Sequence, residues 1–177
     1  MPRHPSLIAV DQATRYLKSC GIRLPLYELT ISDRLIGGSM VEYEPLRLTM
    51  GSYPTTFTRN WFAIHEIGHM LWAEHRPLRR KTFRKYFGDP APEWEEYEKI
   101  YKRDSWKTAT THKLSWLAGP HRPAGQPSHY GVQAGGEERF CELIALIYAN
   151  GDFSKDPPPD LEELWDVCWS EGLTRMT

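Results

Sequence analysis

The segment Trp61–His75, WFAIHEIGHMLWAEH, constrains this chain more than any other part of its sequence. Its apolar spacing, the turn and cap residues before it and a proline after it predict a helix that ends near His75. On such a helix His65 and His69 share one face, because residues four apart are neighbours on its surface. Both imidazoles can therefore bind one metal ion, while Glu66 points to the side of that face.

The spacing of His65 and His69 favours Zn2+, which imidazole nitrogens bind well. A catalytic zinc site takes a third protein ligand and leaves the fourth position to water. Zinc lowers the pKa of that water toward ~7, so Glu66 can accept its proton and pass it to a leaving amine. The sequence therefore predicts one zinc ion per chain, with Glu66 as the general base and acid.

Glu138 is the first candidate for the third zinc ligand. It lies with Glu142 on one face of a predicted helix over residues 137–150, and two alanines further along predict close packing against the His65–His69 helix. On this interpretation Glu138 binds zinc and Glu142 hydrogen-bonds a zinc-binding histidine. Glu137 stays open as an alternative to Glu138, since one residue rotates the helix face by only ~100°.

His75 is the competing candidate, because its distance from His65 and His69 matches the ligand spacing of metzincin peptidases. Those enzymes place a glycine where this chain has Trp72, since the helix must end there through a positive φ. They also need a methionine turn downstream, and the last methionine, Met176, lies at the extreme terminus. We therefore favour Glu138.

The rest of the chain predicts an α+β fold with a small N-terminal mixed sheet and a helical C-terminal part. A helical stripe precedes the sheet, and a capping pattern at Asp160 begins a last helix. The predicted strands are Leu24–Ile31, Met40–Tyr43 and Leu46–Met50. Pro45 breaks the strand at Met40–Tyr43 or places it at an edge. The strand at Leu46–Met50 is also expected at an edge, where an extended substrate could pair with it.

The 177 residues read as a single domain, residues 1–177, in which 77–129 form an insertion of short helices and loops. If that insertion plugs the cleft, the chain is a catalytically latent zinc-containing regulatory or binding module. A peptide or protein substrate is the expected partner otherwise. The sequence leaves the oligomeric state open.

Charge and composition exclude several other classes of partner. The net charge is −1, and the basic block at 76–85 is followed by an acidic one at 89–98, which argues against nucleic acid as the partner. No apolar run approaches the ~18 residues that suggest a membrane span. Three cysteines form no CxxC pair, so we expect a reduced, cytoplasmic protein.

Three short motifs, in this order, resemble gluzincin-type zinc metallopeptidases. They are HEIGHMLW at 65–72, FRKYFGD at 83–89, and the pair of Ser128-His129-Tyr130-Gly131 and Glu138-Arg139-Phe140-Cys141-Glu142. The chain is similar here to lethal-factor-type catalytic domains and to bacterial zinc-binding metallopeptidases, over roughly residues 57 to 170.

This resemblance implies a zincin-like fold and hydrolysis of peptide bonds. It implies zinc ligands at His65, His69 and Glu138, with Glu66 as general base and acid. Glu142 would hydrogen-bond a zinc-binding histidine, and Tyr130 would be the phenol that hydrogen-bonds the oxyanion.

Overall fold

A computed structural model describes residues 3–19, 21–53, 55–75, 125–128, 136–148 and 159–167. These ranges form helix α1, three strands, the long helix α2 and two later helices, the last preceded by a 3-10 turn. The elements are α1 (Pro5–Ser19), β1 (Glu28–Ile36), β2 (Ser39–Tyr43), β3 (Leu46–Ser52), α2 (Thr56–His75), α3 (Gly136–Tyr148), the 3-10 turn (Pro159–Leu161) and α4 (Glu162–Asp166).

The three strands form one mixed sheet in the order β1-β3-β2. Strand β1 runs parallel to β3, and β2 runs antiparallel to it. Gly37, with a φ of 68°, turns the chain between β1 and β2, and the cis Glu44-Pro45 peptide lies between β2 and β3. The predicted α+β class with a small N-terminal mixed sheet is confirmed.

The position of β3 corrects one prediction. Leu46–Met50 was expected at a sheet edge, but β3 pairs with β1 on one side and with β2 on the other. The expectation fails because strand order depends on which segments pair, and the alternation within Leu46–Met50 does not specify its neighbours. Strand β2, which ends before Pro45, does lie at an edge among the described strands, as one of the two alternatives for Met40–Tyr43 predicted. Leu48 and Met50 are fully buried, as a central strand requires. Among the described strands, the edges are β1 and β2.

Strand β1 also starts later than predicted, at Glu28 instead of Leu24. Pro25 cannot donate a hydrogen bond to a neighbouring strand, and Leu26 is 96% exposed. The segment before Glu28 therefore leads into the sheet without pairing in it.

Helix α2 is the element around which the described core is built. It contacts α1, α3 and the strands β2 and β3. Its side chains Trp61, Ile67 and Met70 are fully buried, and on α3 Leu143 is too. One helix face therefore meets the sheet and another meets α3.

Helices α2 and α3 approach closely where Gly68 faces Cys141. A Cβ atom at Gly68 would lie 2.9 Å from the Cys141 Sγ atom and 3.0 Å from its Cα atom, which is tighter than ordinary packing contacts. Any larger residue would have to be accommodated by a shift at this position. The close packing predicted from the alanines of α3 is present, and Gly68 and Cys141 are the residues that permit it.

Several predicted features lie outside the described residues. Of the predicted insertion 77–129, the structure describes residues 125–128 alone, and Tyr130 is not among the described residues. The described part of the last predicted helix is the 3-10 turn and α4. None of the helices in the described ranges has the length and apolar character needed to cross a membrane.

Replacing Gly68 with alanine should destabilise the fold. Alanine gains about 1 kcal/mol in helix propensity, but overpacking against the Cys141 backbone costs about 1–3 kcal/mol. We expect a net loss of about 1 kcal/mol in the free energy of unfolding, measured by urea denaturation in the presence of a chelator. Gly38→Ala is the control, because nothing lies within 4 Å of a Cβ atom there. Equal stability of both variants would contradict the close contact.

Candidate metal centre

Two helices bring three side chains that could hold a metal ion to one point. His65 and His69 project from α2, and Glu138 projects from the first turn of α3. One ligand atom from each lies within 4.8 Å of the others. The two Nε2 atoms are 3.2 Å apart. The Glu138 Oε2 atom lies 3.1 Å from His65 Nε2 and 3.5 Å from His69 Nε2.

These separations fit a tetrahedral zinc site. With zinc–ligand bonds of about 2.0–2.1 Å, two ligand atoms of a tetrahedron are about 3.3 Å apart. The measured distances of 3.1, 3.2 and 3.5 Å lie around that value. The Glu138 Oε2 atom is also buried, and in the described part of the chain the two imidazoles are its polar neighbours. A buried carboxylate oxygen needs compensation, which a divalent cation at this point would provide.

A fully enclosed carboxylate holds His65. The Oε1 atom of Glu142 lies 2.7 Å from His65 Nδ1 and accepts a second hydrogen bond, of 3.0 Å, from the indole N–H of Trp61. Because an ionised carboxylate only accepts, His65 donates from Nδ1 and its Nε2 lone pair is left for a cation. Trp61 lies four residues before His65 on the same helix face, and that spacing was the sequence signal for this contact.

Glu137 and Tyr43 support His69, and both are more exposed than Glu142. The Oε1 atom of Glu137 lies 2.7 Å from His69 Nδ1 and accepts a 2.6 Å hydrogen bond from the Tyr43 hydroxyl. Glu137, the open alternative to Glu138, thus lies on the Nδ1 side of His69, away from the point where the three ligand atoms meet. Tyr43 is 94 residues from Glu137, and no local sequence signal pointed to it.

Glu66 follows His65 on α2 and is buried, with 5% of its surface exposed. Its Oε1 atom accepts a 2.5 Å hydrogen bond from the Ser39 hydroxyl on β2. Tyr53, stacked on Phe62 with ring centres 4.8 Å apart, lies near Ser39 and Glu66, and burial raises the pKa of its phenol. Ser39 and Tyr53 are further site residues that sequence reasoning missed.

The charges of this cluster favour protons on the imidazoles when no cation is bound. Burial alone would lower the pKa of His65, but the Glu138 and Glu142 carboxylates raise it to about 10. Burial also works against protonation of His69, yet Cys141 and the carboxylates of Glu137 and Glu138 raise its pKa. Burial alone would raise the pKa of Glu138. The hydrogen bonds and charges of the two histidines outweigh burial, so the pKa of Glu138 lies below its ordinary value. Protons and a cation therefore compete for the same atoms.

The structure brings together five of the residues predicted for the site. His65, His69 and Glu138 meet between α2 and α3, Glu142 hydrogen-bonds His65, and the charge of Glu66 acts on His65. Tyr130 and the side chain of His75 lie outside the described residues, so their predicted roles stay predictions.

No protein-family model, curated protein or solved structure matches this chain significantly. The interpretation of the site therefore rests on its residues and their geometry.

Zinc binding should release protons, because both histidines have a pKa raised above neutral. At pH 7 we expect more than one proton released per zinc and an affinity that rises with pH between about 6 and 8. Titration calorimetry in buffers of different ionisation enthalpy measures that number. Glu142→Gln is the matched variant, because losing its charge lowers the pKa of His65 and reduces the release. Tight zinc binding without proton release would contradict this electrostatic picture.

Proposed function

We propose that this chain is a zinc metallopeptidase of the gluzincin type that hydrolyses peptide bonds. His65, His69 and Glu138 are the zinc ligands on this proposal. The observation that carries it is the convergence of their three ligand atoms near Glu66. Glu66 is a buried carboxylate of α2, the helix of the two histidines, and it accepts a hydrogen bond from Ser39.

The first supporting argument concerns Glu66, which can act as a base while Glu138 would bind the metal ion. Bound zinc would supply Lewis-acid chemistry that makes a water molecule acidic near neutral pH and polarises a carbonyl group. Glu66 would hold and transfer the proton: Ser39 occupies its Oε1 atom, which leaves Oε2 to accept a proton from the attacking water. As the water oxygen adds to the peptide carbon and the C–N bond breaks, Glu66 delivers that proton to the departing nitrogen.

The second argument concerns where a substrate would lie. Since β3 is paired on both sides, the proposed substrate site moves from β3 to the edge strand β2. Strand β2 contacts α2, and its residues Ser39 and Tyr43 both reach the carboxylates around the candidate metal centre. An extended peptide added to the edge of β2 that pairs with none of the described strands would carry its backbone past Glu66. Tyr130 keeps the oxyanion role that the resemblance implies.

Glu66→Gln should separate binding from chemistry. The amide keeps the shape of the side chain and leaves the three ligand residues untouched, but it cannot accept the proton. We expect one zinc per chain, by elemental analysis, and a peptidase rate reduced by about 10²–10⁴-fold. Glu74→Gln, an exposed glutamate of the same helix, is the control and should keep both.

Two results would decide against peptidase activity. Wild-type protein that binds zinc but cleaves no member of a broad peptide library would favour the latent binding module. If wild-type protein from a chelator-free preparation binds no zinc, the proposed zinc site is wrong.

The third ligand can be tested by zinc content alone. Glu138→Ala removes a ligand atom and should weaken zinc binding by more than about 100-fold, since losing a carboxylate that only supports a ligand costs 10–100-fold. His75→Ala should keep wild-type affinity. Chelator competition measures both variants, and an anomalous-scattering map at the zinc edge identifies the ligands directly. Loss of zinc in His75→Ala with retention in Glu138→Ala would establish the metzincin alternative.

A further inference from the structure

The geometry points to Tyr43 as a positioning residue that acts through Glu137 on His69 and so controls how long a bound zinc ion is retained. This inference rests on the proposed function, because it requires His69 to be a zinc ligand. It adds a residue that the motifs do not contain.

The two histidines are supported in chemically similar ways but in different surroundings. Each Nδ1 atom faces a glutamate oxygen at 2.7 Å, and each of those oxygens accepts one more hydrogen bond from an aromatic side chain. For His65 the supporting glutamate, Glu142, has a side chain only 3% exposed. For His69 the supporting glutamate, Glu137, has a side chain 34% exposed. The His69 side of the site is thus the one that meets solvent.

An exposed glutamate needs an anchor to hold one conformation. Packing fixes Glu142 from all sides, whereas Glu137 lies in the first turn of α3, with freedom to turn toward water. The Tyr43 hydroxyl removes that freedom by donating to the same oxygen that faces His69. Burial and the charge of Glu137 raise the pKa of the Tyr43 phenol, so it stays a donor at neutral pH.

Fixing Glu137 fixes the ring of His69. A carboxylate on Nδ1 sets both the tautomer and the orientation in which Nε2 faces the metal. When Glu137 turns away, His69 can rotate and open the coordination from its solvent side. Zinc loss would then start at His69, while the enclosed His65 group stays in place.

Tyr43→Phe tests this inference, because it removes one hydroxyl from a side chain that is 47% exposed. We expect zinc affinity, measured by chelator competition, to fall about 10-fold, mostly through a faster dissociation rate. The melting temperature of the zinc-free protein should stay at the wild-type value. Tyr27→Phe is the matched control: it removes a phenol that pairs with Thr14 Oγ1 at 3.0 Å and should leave zinc affinity unchanged.

A double-mutant comparison tests the route through Glu137. If Tyr43 acts only through that carboxylate, Tyr43→Phe should weaken zinc binding no further once Glu137 is alanine. Equal losses in both backgrounds would mean that Tyr43 acts on His69 by another route, and would overturn the assigned mechanism.

The outcomes separate this inference from the proposed function. Wild-type zinc binding with unchanged affinity and dissociation rate in Tyr43→Phe overturns the inference alone. A wild-type chain that binds no zinc overturns both. Because the readout is zinc binding, absence of peptidase activity leaves this test intact.

Discussion

The contact between Gly68 and Cys141 is the constraint on which the candidate metal centre depends. A Cβ atom on Gly68 would lie 3.0 Å from the Cα atom of Cys141, so a larger residue would require a shift of a few tenths of an ångström between α2 and α3. Glu138 lies three residues before Cys141 on α3, and its distances of 3.1 and 3.5 Å to the two imidazoles allow little displacement. A glycine that weakens a helix by about 1 kcal/mol is therefore explained by the approach that it permits.

Three glutamates of α3 illustrate how helix geometry divides roles among identical side chains. Glu138 and Glu142 lie four residues apart, so they share a face, and they address the Nε2 and Nδ1 sides of His65 respectively. Glu137 precedes Glu138 by one residue, which rotates it by ~100° and brings it to the Nδ1 atom of His69 instead. Glu138 and its neighbour Glu137, two of the candidates for the third ligand, thus occupy different sides of the same pair of imidazoles. Each carboxylate has its own contact, and one helix provides all three.

Strand β2 links the sheet to this cluster. Ser39 and Tyr43 lie four positions apart, on the same face of the strand, because side chains alternate along it. Ser39 donates to Glu66 and Tyr43 donates to Glu137, so two hydroxyls of one strand hold the carboxylates of two helices. The edge strand proposed to receive a substrate is therefore also the strand that orients the residues meant to act on it.

Local rules explain what the sequence by itself determined about this protein. The helix that ends at His75, the shared face of His65 and His69, and the small mixed sheet follow from periodicities and turn residues that act within a few positions. The edge assignment of Leu46–Met50 failed, because strand order depends on which segments pair, not on the composition of one strand. Ser39 and Tyr43 were invisible to sequence reasoning: their partners lie 27 and 94 residues away. A hydroxyl has no preferred distant partner until packing brings one within about 3 Å, and only the tertiary structure decides that.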